Sequence, residues 1–239
     1  MEIDIEADRA TRWLCATAAG IVCLSAAGSV GLHWLSASPG MTMHSSLRLL
    51  DRAFSVEGKR NLATLFCIFL PVAAAVLFRI IARNTRPRGA PEAGYWDALA
   101  LLFVGVALVE AWPFYARLLW PGVQLVGLSG ATATLLHLAW AVPGLVLVGL
   151  AVLYWRFLRH QGTTGRAMIL AAGIFLAGAL GMETLGTWYL GRHPRDLLYL
   201  VASTFEEALE IAGMILLIRA LLRHLAAMPS ADQVVIRFR

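Results

Sequence analysis

The chain has 239 residues, of which 59% are hydrophobic and only 15% are charged, and its mean hydropathy is +0.70. Soluble domains contain about 45–50% apolar residues, so this composition excludes an ordinary soluble domain and indicates several membrane spans. The net charge of +5 does not indicate nucleic-acid binding, because the basic residues stand at the ends of apolar runs, where they set membrane topology.

Three apolar runs in the first half of the chain predict membrane spans at about residues 13–35, 62–81 and 96–115. Pro71 falls inside the second run and is expected to kink that helix. Residues 36–61 predict an extracytoplasmic loop that holds either an interfacial helix or an ordered linker with a few apolar contacts.

Three further runs predict spans at about residues 134–158, 168–190 and 197–222, followed by a short cytoplasmic tail at 226–239. In the fifth run, Gly173, Ala177 and Gly181 recur at four-residue intervals. A stripe of small residues lets two helix backbones approach closely, so we expect this stripe to contact another helix.

The predicted fold is all-α, a polytopic bundle of six transmembrane helices that forms a single domain over residues 1–225. Six crossings leave both termini on the same side of the membrane. Basic residues are more numerous on that side, so both termini are expected to be cytoplasmic. The chain is predicted to be a multi-pass protein of a bacterial plasma (inner) membrane.

Carboxylates inside the apolar runs are the strongest functional signal. Glu206, Glu207 and Glu210 share an arc of about 100° on the last predicted helix, roughly 14–20 Å from its outer end. Each charged carboxylate costs about 2.5–3.5 kcal/mol in the membrane, so such residues usually have a function. The predicted site also includes acids of the third and fifth spans and a histidine of the fourth: Glu110, Glu183 and His137.

The predicted spans hold no basic residue at the depth of these acids. The acids are therefore protonated, hydrated in a cavity, or bound to a cation. Carboxylates and a histidine suit a divalent metal, so a metal is the one cofactor that the sequence raises. Its candidate ligands are Glu183, Glu206, Glu210 and His137.

Three functions remain open on this reasoning. The first is a non-catalytic subunit or accessory protein of a larger membrane assembly, whose partners are membrane lipid and either a membrane protein or a second copy of the chain. The second is a small proton- or cation-coupled transporter. The third is a metal-dependent membrane enzyme acting on a lipid-like substrate.

Three stretches resemble a group of uncharacterised bacterial membrane proteins with six spans. Phe54-Ser55-Val56-Glu57-Gly58-Lys59-Arg60-Asn61 is similar to that group's Phe-x-x-Asp-Gly-Glu-Gly-Asn-like string, Val142-Pro143-Gly144-Leu145 to its Val-Pro-Gly turn, and Glu206-Glu207-Ala208-Leu209-Glu210 to its acidic last span. The resemblance implies a six-span fold.

The third span departs from that group, which carries an Asp-Glu pair followed by His-Glu. Only Glu110 is retained, and Val109, Tyr115 and Ala116 occupy the other three positions. The departure favours an accessory role over catalysis.

Overall fold

The structure is a computed structural model that describes residues 3–5, 7–36, 62–88, 92–111, 145, 148–150, 152–194, 196–228 and 236–238. This part of the chain is all-α apart from one pair of three-residue strands. The helices are α1 (Ala7–Ser36), α2 (Leu62–Thr85), α3 (Ala93–Ala111), α4 (Trp155–His160), α5 (Gly162–Leu176), α6 (Glu183–Leu190) and α7 (Leu197–Ala227). A 3-10 turn at Arg86–Arg88 follows α2, a π-helical stretch at Ala177–Met182 (the π-turn) joins α5 to α6, and the strands are β1 (Ile3–Ile5) and β2 (Ile236–Phe238).

Four helical stretches are long and apolar enough to cross a membrane: Ala7–Gly31, Leu62–Thr85, Ala93–Ala111 and Gly162–Leu190. They correspond to the first, second, third and fifth predicted spans. The sixth predicted span corresponds to α7, which is long enough at 31 residues but carries three acids and two arginines. An all-α protein with helices of membrane-spanning length is therefore confirmed, whereas the number six stays a prediction.

Three sequence-based expectations fall outside the described residues. The loop at 36–61 lies outside them after residue 36, and the predicted fourth span lies outside them from 134 to 144, with scattered helical residues up to α4. The tail is described only to residue 228 and again at β2. In the second span, α2 continues through Pro71, whose side chain is fully buried.

Helix α7 lies at the centre of the described bundle. It packs against α5, the π-turn, α1 and α2, and α2 packs in turn along α3. Leu221 on α7 and Leu70, Phe78 and Ile81 on α2 are fully buried at this centre. Large apolar side chains also point outward, for example Leu101 at 73% exposure, so the outer faces are suited to lipid.

One end of the bundle, here called the basic end, is held by ion pairs. Asp97 of α3 pairs with Arg79 of α2 and with Arg86 of the following 3-10 turn. Asp8 at the start of α1 accepts hydrogen bonds from Arg223 at 2.9 Å and Arg219 at 3.2 Å near the end of α7. These pairs are solvent-exposed, so they add little to the stability of the fold.

An aromatic cluster fills the interior near the basic end. Trp96 of α3 is 1% exposed, and its ring lies 4.9 Å from that of Phe157 and 6.0 Å from that of Phe78. His224 of α7 packs at 5.2 Å from Trp96, and its Nδ1 is hydrogen-bonded to the Thr164 hydroxyl at 3.2 Å. The cluster therefore ties α2, α3, α4, α5 and α7 together. His224 is thus a packing residue of this cluster.

The two termini lie at the basic end together. Strands β1 and β2 pair in parallel, with Ile3 opposite Ile236 and Ile5 opposite Phe238. The two strands therefore lie at the same end of the described bundle.

Candidate carboxylate site

The turn between α6 and α7 fixes how α7 enters the bundle. Asp196 is the N-cap of α7, and its side chain accepts the Tyr199 backbone N–H at 3.0 Å and the Tyr189 hydroxyl at 2.6 Å. These two donors hold the pKa of Asp196 below its usual range, with the Tyr189 hydroxyl as the larger cause. The cap ties the end of α6 to the first turn of α7.

Acids from two neighbouring elements meet beyond this turn. Glu206, Glu207 and Glu210 are half-buried on α7. Glu183 is the first residue of α6, directly after the π-turn, and this turn packs against α7 at Glu206 and Glu210. The chain thus brings acids from two separate predicted spans to neighbouring positions.

A third helix contributes to the same region. Glu110 near the end of α3 lines a small cavity together with Glu210, and it interacts electrostatically with Glu207 as well. The carboxylate cluster of this protein therefore comprises five acids from α3, α6 and α7: Glu110, Glu183, Glu206, Glu207 and Glu210.

The π-turn brings the α5–α6 backbone against the acids. A Cβ added at Gly178 would lie 2.9 Å from the carbonyl oxygen of Glu206 and 3.0 Å from the Cγ atom of Glu210. Only glycine fits so close to a neighbouring backbone. π-Helical turns inside α-helices frequently occur at functional sites, and this one immediately precedes Glu183.

The predicted small-residue stripe is not where α5 meets α7. A Cβ added at Gly173 or Gly181 meets no described atom within 4 Å, whereas the close approaches are at Gly178 on the π-turn and Gly213 on α7. The four-residue spacing assumed a regular α-helix through the whole span. The π-turn changes the face that follows Leu176, and no described helix lies against Gly173 or Gly181, so the helix contact expected for the stripe stays a prediction.

Two cavities adjoin the cluster. The smaller one has a free volume of about 10 Å³ and is lined by Glu110, Glu210 and Cys67 among others, which is near the minimum space for one water molecule. The larger one has a free volume of about 110 Å³ and an almost wholly apolar lining. Val106, Phe175 and Met214 line both cavities, so the two adjoin.

The described residues do not provide a recognisable metal centre. No three His, Cys, Asp or Glu side chains within them are arranged to share a metal ion. His137, the predicted nitrogen ligand, lies outside the described residues. The geometry of a metal site on Glu183, Glu206 and Glu210 therefore has no support in this part of the chain, and the site stays a prediction.

Sequence reasoning missed two structural residues of the site. The role of Gly178 depends on the π-turn, which the apolar pattern does not encode, although a glycine facing the acidic helix was a usable signal. The Tyr189–Asp196 hydrogen bond was signalled by an aspartate placed directly before the last apolar run, the usual position of an N-cap.

Comparison with curated proteins and with solved structures gives no match. A family model does match, over residues 13–225. This range includes all five acids of the carboxylate cluster and most of α1 through α7, so the site lies within the matched domain. The chain therefore belongs to the family described as a domain of unknown function, DUF8692.

Proposed function

We propose that this chain is a multi-pass integral membrane protein that binds and releases a proton at its carboxylate cluster, as a non-catalytic subunit of a larger membrane assembly. The observation that carries the proposal is the contact of the π-turn, which leads directly into Glu183, with Glu206 and Glu210 of α7. Its location would be a bacterial plasma membrane, with both termini in the cytoplasm.

The nearness of these acids favours a shared proton for a chemical reason. An ionised carboxylate only accepts hydrogen bonds, so two carboxyl groups form a hydrogen bond when one of them carries a proton. The described residues place no basic side chain in an ion pair with Glu183 or Glu206, and the ion pairs that they do form lie at the basic end. A second charge at this depth would also be costly.

The positions of the chain ends support six crossings. Both termini lie at the basic end, which requires an even number of spans. The four candidate spans and α7 make five, and we assign the sixth to the predicted span at 134–158. The concentration of arginine at the basic end supports a cytoplasmic orientation for that end.

Open small-residue faces support assembly with a partner. A Cβ added at Gly20 or Gly31 of α1, or at Gly173 of α5, would meet no described atom within 4 Å. Such faces permit close approach of another transmembrane helix. The approaching helix can belong to a second copy of this chain or to another membrane protein.

Infrared spectroscopy tests the proton site. The C=O stretching band of a protonated carboxyl group should be present in the purified protein at neutral pH and should shift in D₂O. Glu206→Gln and Glu183→Gln should each remove it. Glu92→Gln is the matched control, because Glu92 lies at the basic end, where it accepts a hydrogen bond from Gln161 at 3.2 Å. A spectrum without this band, or one that Glu206→Gln leaves unchanged, would contradict proton binding.

Purification in a mild detergent tests the assembly. The chain should migrate with one defined partner or as a defined oligomer on native gels, and Glu206→Gln should leave that assembly intact. A chain that purifies only as a lone monomer would show that the subunit proposal is wrong, even if the infrared band is present.

The larger cavity favours a second candidate, a proton-coupled transporter. An apolar cavity that adjoins a proton-binding acid can place a solute beside the group with which it exchanges a proton. Proteoliposomes that contain the protein should then release protons in response to a transported solute, and Glu206→Gln should abolish that release.

A further inference from the structure

We infer that the outward side of α2 and α3 binds an anionic phospholipid, with its phosphate against Arg79, Arg83 and Arg86 and its acyl chains along the apolar side chains that adjoin them. This surface, which also carries Asp97, is here called the α2–α3 side. The inference goes beyond the proposed function, because the site lies at the basic end and uses none of the acids of the carboxylate cluster.

Three arginines share the end of α2 with a single acid. Arg79 and Arg86 both contact the Asp97 carboxylate, and their side chains are 46% and 60% exposed. Arg83 lies one helical turn after Arg79, about 40° from it around the α2 axis, and is exposed. Arg83 forms no ion pair within the described residues. Three guanidinium groups beside one carboxylate leave this group of side chains with two uncompensated positive charges.

Exposed apolar side chains continue from these charges along both helices. On α2, Val72 and Val76 lie within about 60° of Arg79 around the helix axis, and both are exposed. On α3, Leu101 lies one turn after Asp97, about 40° from it, and is also exposed. Because α2 packs along α3, the two apolar stripes run side by side, and both lead to the arginines.

The α2–α3 side faces away from the other described helices. Ile81, which α2 buries in the centre of the bundle, lies about 160° from Arg79 around the helix axis. The α4 segment contacts α3 at Tyr95 and Trp96, which lie about 160° and 100° from Asp97. Among the described elements, neither the core nor α4 therefore occupies the surface in front of the arginines.

The arginines stand at the depth of lipid headgroups. Helix α2 has 24 residues, which at 1.5 Å each span about 36 Å, whereas the hydrocarbon core of a bilayer is about 30 Å thick. The last turn of α2 therefore reaches the headgroup region when the helix crosses the bilayer. A lipid that lies along Val72 and Val76 has its phosphate at the level of Arg83 and Arg86.

The charge of the surface selects the headgroup. Guanidinium groups bind phosphate oxygens through paired N–H donors. A zwitterionic lipid brings its own cation, which the uncompensated arginines repel, whereas a lipid with a net negative charge neutralises one of them. A soluble phosphate meets the same arginines but has no chains to cover the apolar stripes. The occupant with both properties is an anionic phospholipid.

Native mass spectrometry of the full chain tests the inference, with dioleoylphosphatidylglycerol and dioleoylphosphatidylcholine titrated separately into the purified protein. An arginine near an anionic lipid contributes about fivefold in affinity. Two uncompensated charges should therefore make the first phosphatidylglycerol bind about 25-fold more tightly than the first phosphatidylcholine. Arg83→Gln should weaken phosphatidylglycerol binding about fivefold and leave phosphatidylcholine binding unchanged.

A matched arginine separates a site from general attraction to the basic end. Arg156 is exposed on α4, away from the α2–α3 side, so Arg156→Gln should leave phosphatidylglycerol binding unchanged. Arg86→Gln is a second test variant, because it leaves Asp97 paired with Arg79, and it should lose about as much affinity as Arg83→Gln. Glycerol 3-phosphate, which lacks acyl chains, should not displace bound phosphatidylglycerol at equal concentration.

Three results would overturn the inference. They are equal affinity of wild-type protein for the two lipids, equal losses in Arg83→Gln and Arg156→Gln, and displacement of the lipid by an equal concentration of glycerol 3-phosphate, which would indicate an adventitious anion only. The infrared carboxyl band is recorded on the same variants, and Arg83→Gln should leave it in place. Failure of the lipid site is therefore distinguishable from failure of the proton site.

Discussion

Replacing Gly213 by alanine tests the contact that holds α5 against α7. An added Cβ would lie 2.7 Å from the backbone nitrogen of Phe175, 2.8 Å from the carbonyl oxygen of Ala171 and 2.8 Å from the Cβ of Phe175. These distances are roughly 0.7 Å shorter than an ordinary contact of about 3.5 Å. Two of the three atoms are backbone, so the whole helix α5 must move to accommodate the methyl group.

Two opposing terms decide the size of the effect. Alanine is better than glycine in a helix interior by about 0.8–1 kcal/mol, whereas overpacking of a close-packed contact costs about 1–3 kcal/mol. Rigid backbone partners favour the upper part of that range. We therefore expect Gly213→Ala to lower the free energy of unfolding by about 1–2 kcal/mol, and Gly173→Ala, which meets no described atom within 4 Å, to raise it by up to about 1 kcal/mol.

Thermal unfolding in detergent, followed by circular dichroism, measures the difference. For a chain of this size, 1 kcal/mol corresponds to about 2–4 °C in Tm, so Gly213→Ala should melt several degrees below wild type and Gly173→Ala at or above it. Equal Tm values for the two variants would refute the close contact at Gly213, as would a Gly213→Ala variant that is more stable than wild type.

Three further substitutions each test one other contact of the fold. Trp96→Ala should destabilise the fold by about 3–5 kcal/mol because this ring is 1% exposed. Trp13→Ala, at a ring that is 67% exposed, should change Tm little. Similar losses of stability in the two variants would contradict the aromatic cluster. Asp196→Asn should destabilise the protein at neutral pH. The pKa of Asp196 is depressed in the folded state. The stabilisation from its carboxylate is therefore present above about pH 4 and is lost as the pH falls through the folded-state pKa. The Tm gap between wild type and variant should therefore close below that pH, and a constant gap would be inconsistent with this origin. Asp8→Asn should change Tm little, because its ion pairs are exposed; a Tm loss above about 5 °C would show that these pairs matter more.

The helices were predictable from the sequence because membrane spans have a single dominant signal, the length of an apolar run. The sixth span was expected from residue 197, and α7 begins at that residue, directly after its N-cap Asp196. The first helix begins earlier than expected, at Ala7 rather than near residue 13. Polar residues do not end a helix that extends beyond the apolar layer, so hydropathy locates a crossing better than it locates helix ends.

The approach of Glu183 to Glu206 was partly predictable, since counting residues at 1.5 Å each places both acids in the outer half of their spans. Depth alone does not determine which side of a helix faces a neighbour. That direction depends on the π-turn, which adds a residue to one turn and changes the face that follows it. Local hydrogen bonding of this kind leaves no trace in hydropathy, so the close approach at Gly178 was missed.

The pairing of the chain ends has a consequence for biosynthesis. Among the described elements, α1 packs mainly on α7, and β1 pairs with β2. Both partners of the N-terminal segment are therefore translated after the other described elements, so α1 is made long before its principal neighbour exists. Contacts at such large sequence separation form late. The described bundle can close only after α7 has been made, and until then the face of α1 that α7 later covers has no partner among the described helices.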